Sequence, residues 1–144
     1  MLLPCEHDDI AITDDLAHYE RLKLLLLNLG HTMLAEIWRI RDGAAGMTVL
    51  DAMRDPAFRD PLEATWRDEV LPVFAALGQC EVAAEYLASV RDRFENPFLV
   101  HRLADIARNH DEKKLRRFQP VIDLARELKL DIEQKRLRNA LESA

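Results

Sequence analysis

Residues 22–31 read Leu22-Lys23-Leu24-Leu25-Leu26-Leu27-Asn28-Leu29-Gly30-His31. A helix that is apolar almost all the way round leaves no face for water, so this stretch predicts a buried helix. Apolar residues continue at helical spacing on both sides, and Thr13, Asp14 and Asp15 offer capping oxygens before them. The helical stretch is therefore expected from about Leu16 to Ile40, ending at Asp42-Gly43. No segment of the chain alternates with period two for long enough to read as a strand. The expectation is an all-α fold, a multi-helix bundle.

The composition agrees. The 144 residues are 49% hydrophobic and 32% charged, which suits one soluble domain and excludes a disordered or low-complexity chain. Four glycines and six prolines are few for a sheet with many turns. Twenty basic against twenty-six acidic residues give a net charge of −6, which argues against nucleic acid as a partner. Cys5 and Cys80 lie far apart with no CxxC spacing and read as reduced thiols in a cytoplasmic protein. No stretch approaches the roughly 20 apolar residues of a membrane span, and acid follows Met1 too soon for a signal peptide.

Outward from the central stretch, residues 1–12 show no period and read as an extended arm, leaving 13–144 as one helical domain. Thr48 is placed to cap a short helix over Val49–Met53. Asp60-Pro61 is expected to start a helix that runs towards Leu77, kinked or divided by Pro72 and stopped by Gly78. A further helix follows over 81–94. Asn96-Pro97 reads as a cap and first-turn pair for a helix reaching Arg108, Gln119-Pro120 as the start of another, and Asp131 as the cap of the last. The basic clusters at Lys113, Lys114, Arg116, Arg117 and at Lys135, Arg136, Arg138 read as solvated helix faces.

Three polar residues interrupt the leucine run. On an ideal helix at about 100° per residue, with Lys23 at the origin, His31 falls at about 80° and Asn28 at about 140°. An ammonium group among leucines is costly unless a cleft or partner receives it, and burial turns a lysine towards use as a general base. An amide can hydrogen-bond an oxygen that gains charge, and a histidine can orient a lysine or a hydroxyl. Gly30 inside a helix costs about 1 kcal/mol against alanine and points to close approach by a ligand or another backbone. Each residue has a plainer explanation too. Lys23 can reach water along its methylenes, Asn28 can bond across helices, and His31 can be a satisfied core histidine. Spacing alone does not choose. Arg93 and His101, flanking the expected helix start at Asn96-Pro97, are placed to receive an anionic or polyhydroxylated ligand, with surface ion pairs as the plainer role for Arg93 and Arg102. No His or Cys spacing suits a metal, and no dinucleotide, phosphate-loop or serine-hydrolase motif is encoded.

Tyr19 to Thr32 resembles the K-x4-N-x2-H signature of the mannitol dehydrogenase family, the polyol-specific long-chain dehydrogenases and reductases that include fructuronate and tagaturonate reductases and mannonate oxidoreductases. Thr48-Val49-Leu50-Asp51-Ala52-Met53, Glu69-Val70-Leu71-Pro72 and Arg93-Phe94-Glu95-Asn96-Pro97-Phe98 are similar, in order, to blocks of the same family's C-terminal domain. The resemblance covers residues 13–120. It implies the helical substrate domain of an enzyme that oxidises a secondary alcohol of a sugar alcohol or aldonate, or runs the reverse, with NAD or NADP and no metal. It also implies Lys23 as general base, Asn28 as the stabiliser of the developing alkoxide, and His31 as the residue that binds substrate and fixes the lysine. Arg93 and His101 are implied near the substrate's far end.

The family's Rossmann domain, with the cofactor site and a second asparagine, is absent from this sequence. The chain is thus expected to carry half of an active site, as a fragment of a longer enzyme or one partner of a split one, and its partners to be a sugar alcohol or sugar acid, a separately encoded or missing Rossmann domain, and a second copy of itself through exposed apolar surface. The alternative is a non-catalytic helical module, binding a sugar acid or a protein, left after loss of the cofactor domain.

Overall fold

A computed structural model describes residues 15–143. The expected arm over 1–12, the caps at Thr13 and Asp14, and Cys5 lie outside the described residues. Among the described residues every regular element is helical, and the only β feature is one isolated bridge between Thr48 and Arg102.

The leucine run lies inside one continuous helical stretch, as expected. It opens with α1 (Asp15–Leu22), passes through a π-turn over Lys23–Asn28, and continues as α2 (Leu29–Ile40). Leu25, Leu26, Leu27 and Leu29 are buried, and α2 runs through the middle of the bundle. The stretch ends where Asp42 turns left-handed (φ 54°), with Trp38 folded over Gly43.

Helix α3 (Val49–Met53) starts on a capping box: Thr48 Oγ1 accepts from Asp51 N at 3.1 Å, and Thr48 N donates to Asp51 Oδ2 at 3.0 Å. Helix α4 (Pro56–Thr65) corrects one expectation. It starts at Asp55-Pro56, not at Asp60-Pro61, because Asp55 Oδ1 caps Ala57 N at 3.0 Å and the same acid–proline pattern occurs five residues sooner. A second π-turn (Trp66–Val70) leads to α5 (Leu71–Ala76), so Pro72 lies where the helix divides. Gly78 (φ 78°) ends it, with Gln79 N bonding back to Phe74 O.

After α6 (Cys80–Phe94) comes a second correction. Asn96-Pro97 makes a tight turn, in which Asn96 Oδ1 accepts from Phe98 N at 2.8 Å, and no helix begins there. Backbone bonds from Val49 N to His101 O and from Leu103 N to Met47 O draw residues 101–103 out as an extended segment, so α7 spans only Leu103–Ile106. An unforeseen helix, α8 (His110–Arg117), carries the first basic cluster, and α9 (Gln119–Glu127) begins at Gln119-Pro120 as read.

The last helix, α10 (Lys135–Glu142), starts four residues after Asp131. Its first amides are met by buried Glu69: Oε1 accepts from Leu137 N at 3.0 Å, and Oε2 from Arg136 N at 3.2 Å. No helix among the described residues is long and apolar enough to cross a membrane.

Candidate active site

The π-turn decides which polar residues of the leucine run meet. In an α-helix Lys23 and Asn28 would project about 140° apart. In the π-turn, bonding reaches one residue further, Leu29 N to Leu24 O, so residues five apart project much closer in direction than they would in an α-helix. Lys23 and Asn28 accordingly line one open concavity of about 480 Å³, with Glu20, Arg21, Pro120 and Leu124 around them. Leu24 and Leu25 add apolar surface to its lining. The Lys23 side chain is exposed and Asn28 half-buried. Burial by the leucines therefore does not reach Lys23.

His31 faces elsewhere. It lines a second concavity of about 500 Å³ together with Arg93, Phe94 and His101. Its ring stacks on Phe94, with centroids 4.5 Å apart and planes at 20°, and meets His101 edge-on at 4.9 Å. Burial, and after it the charges of His101, Arg117, Arg93 and Lys113, lower its pKa to about 3, so the imidazole is neutral at ordinary pH. The five predicted residues thus fall into two groups, Lys23 with Asn28 and His31 with Arg93 and His101. Arg93 and His101 are exposed, and they flank a turn rather than a helix N-terminus, so no helix dipole acts between them.

One residue read only as part of a solvated face also lies here. Arg117, read as part of a solvated face, is half-buried, donates from Nη1 to Thr32 Oγ1 at 2.8 Å, and helps keep His31 neutral. Only tertiary packing across 85 positions joins Arg117 to Thr32, and no local pattern announces it. Gly30 has a packing explanation. A Cβ there would lie 2.7 Å from Trp66 Cζ2 and 3.2 Å from Phe94 Cε2, so the close approach is by two aromatic side chains rather than by a ligand.

A larger concavity, about 620 Å³, lies away from all five residues between Arg54, Arg59, Asp60 and Glu95. In it Arg59 pairs with Glu95 at 3.5 Å, and none of the five predicted residues lines it. No group of three or more His, Cys, Asp or Glu that could hold a metal ion occurs among the described residues.

The family model for the mannitol dehydrogenase C-terminal domain matches residues 15–141. The chain belongs to the mannitol dehydrogenase family. Mannitol dehydrogenase 2 of Saccharomyces cerevisiae is 31% identical over 104 residues, covering 72% of this chain and 20% of that protein. The altronate oxidoreductase of Klebsiella pneumoniae (strain 342) is 33% identical over 113 residues, covering 78% and 22%. That of Pectobacterium atrosepticum is 32% identical over 120 residues, covering 83% and 23%. The chain therefore spans about a fifth of the length of the curated relatives it matches. No solved structure matches it. Membership in the mannitol dehydrogenase family accounts for the all-α architecture and makes this a domain of a polyol or aldonate oxidoreductase family.

Proposed function

We propose that the chain is the substrate-binding and catalytic-base domain of an NAD(P)-dependent oxidoreductase that interconverts a sugar alcohol or aldonate, of mannitol, mannonate or altronate type, with its ketose or ketouronate. The observation that carries this is the joint placement of Lys23 and Asn28 in one concavity by the π-turn. That pair supplies what oxidation of a secondary alcohol asks of a protein, a base for the hydroxyl proton and a hydrogen-bond donor for the oxygen as it gains charge.

The described residues hold no strand followed by a glycine-rich turn and helix, so they do not fit the pyrophosphate of a dinucleotide. A Rossmann domain, in the same polypeptide or in a partner, would hold the cofactor, and the nicotinamide would accept the hydride. This chain's share is the proton and the oxygen. Lys23 Nζ, as the free amine, takes the proton of the reacting hydroxyl, while the Asn28 amide N–H donates to the resulting oxygen. Covering of the open concavity by the cofactor domain would exclude water and desolvate Lys23, supplying the burial that this chain alone does not. We place the reaction in the cytoplasm, with a sugar alcohol or sugar acid as the other partner and self-association through the exposed apolar surface.

The exposure of Lys23 favours one second reading, a helical module that binds sugar acids without catalysis. The deciding experiment joins the chain to the cofactor domain of a two-domain relative and follows NAD reduction with D-mannitol, D-mannonate and D-altronate. We expect turnover with at least one of these, and loss of a hundredfold or more of kcat in Lys23→Ala. Wild-type kcat in Lys23→Ala would remove the lysine from its role, and sugar-acid binding without turnover would establish the module.

A further inference from the structure

We propose that Trp66 is a positioning residue for the Lys23–Asn28 pair: its indole, seated in the slot left by Gly30 and bonded to the Leu26 carbonyl, holds the π-turn in the wide form that puts both side chains into one concavity. What the pair does rests on the function proposed above; the holding device is a property of the fold and is tested separately.

A π-turn is rare because its bonding is poorer than that of the α-helix on either side, and it persists only where something else fixes it. Here the fixing contacts come from outside the helix. Trp66 Nε1 donates to Leu26 O, inside the turn, at 3.2 Å, and Trp66 and Leu26 are both fully buried. The indole can reach that carbonyl because residue 30 has no side chain. Phe94 fills the rest of the slot, its ring 5.9 Å from that of Trp66. On the other side the Arg91 guanidinium lies 5.7 Å from the Trp66 ring, and Arg91 is itself held by two hydrogen bonds to Glu63, at 2.8 and 2.7 Å.

Trp66 is also held by its own backbone. It opens the second π-turn, where Leu71 N bonds to Trp66 O. The two widened turns among the described residues thus meet at one side-chain hydrogen bond. Trp66 touches neither Lys23 nor Asn28 among the hydrogen bonds and ring contacts of the structure, so any effect on them passes through the turn.

The test uses the 144-residue chain, isotope-labelled, and reads the coupling across the Leu29 N–H···O=C Leu24 hydrogen bond by long-range NMR correlation. Trp66→Phe removes the indole donor and keeps a ring. Gly30→Ala keeps the donor and displaces the ring, so it serves where Trp66→Phe does not fold. Val73→Ala, a buried change in α5, matches them for lost stability. We expect the coupling in the native chain and in Val73→Ala, and its loss in the other two with shifted Lys23 and Asn28 amide signals. Persistence of the coupling in Trp66→Phe or Gly30→Ala overturns the proposal.

In the enzyme joined to a cofactor domain, Trp66→Phe is expected to lower kcat with D-altronate about tenfold, with KM moved less than twofold. Loss of the coupling with wild-type kcat would also overturn a positioning role. An unchanged kcat in Lys23→Ala would instead defeat the functional reading and leave the coupling result standing.

Discussion

Glu36 Oε1 lies 3.1 Å from Lys114 Nζ, and each residue is only 2% exposed. The same carboxylate oxygen meets His110 Nε2 at 2.8 Å, while Lys114 donates onward to Ala140 O at 2.6 Å and Ser143 O at 2.8 Å. A buried ammonium group thus ties α2 to the C-terminal end of α10, where the helix dipole favours a cation. Burial works to raise the Glu36 pKa, but the hydrogen bonds from His110 and Lys114 outweigh it, and the net shift is downward.

Removing one partner leaves the other charge buried. We expect Glu36→Gln to lower unfolding free energy by about 3 kcal/mol at neutral pH, measured by urea titration. A carboxylate with a lowered pKa confers stability above its ordinary pKa and loses it as pH falls through the lowered value. The gap between wild type and Glu36→Gln should therefore close on acidification. Equal stability of the two proteins near pH 7 would show that desolvation cancels the pair.

Lys114 also marks how far local patterns reach. The leucine run, the Thr48–Asp51 capping box, Gly78 and Gln119-Pro120 were legible because each signal and its consequence lie within one turn of each other. Asn96-Pro97 misled because the same two residue types serve a tight turn as well as a helix start, and the choice was made by backbone bonds to residues 47 and 49. Lys114 reads as one more solvated lysine until Glu36, 78 positions away in sequence, is brought to it. Lys23 and Asn28 were picked out by chemistry and by resemblance. Their sharing of a concavity was not legible at about 100° per residue, since it depends on a turn with a different period.

His31 gives a prediction in pH. Burial, then the neighbouring charges of His101, Arg117, Arg93 and Lys113, lower its pKa to about 3. Above about pH 6.5 the imidazole is neutral in folded and unfolded chains alike. Below that, the unfolded chain binds a proton that the folded chain refuses until about pH 3, so His31 makes stability fall steadily through this window. The ring Cε1 shift of His31 should stay flat in NMR titrations from about pH 8 down to about pH 4.5. A midpoint near pH 6.5 would mean that the ring is far better solvated than its stacking on Phe94 implies.

Glu69 is 1% exposed and gives α10 its N-terminal partner, accepting from Leu137 N, Arg136 N and Arg136 Nη1, while its own carbonyl accepts from Gln134 Nε2. With Lys114 at the far end, α10 is held by opposite charges matched to its dipole. Glu69→Gln puts an amide where several N–H groups converge. We expect amide exchange in α10 to speed up at least tenfold, corresponding to about 1.4 kcal/mol, while Leu25–Leu29 keep native protection. Equal acceleration in both places would show that the loss is global and that Glu69 does not act on α10 in particular.

The neutrality of His31 bears on substrate charge. In the concavity shared by His31, Arg93 and His101, the permanent cation is Arg93, and an aldonate differs from a sugar alcohol of the same chain length by one carboxylate. If this concavity receives the far end of the substrate, Arg93→Met should raise KM for D-altronate about tenfold through loss of a charge-assisted hydrogen bond. KM for D-mannitol should stay within about twofold. Because Arg93 is exposed, stability should change little. Equal effects on both substrates would indicate that Arg93 shapes the wall beside Phe94 without reading charge. No effect on either would place the substrate's far end outside this concavity and leave the Lys23–Asn28 concavity to hold the whole molecule.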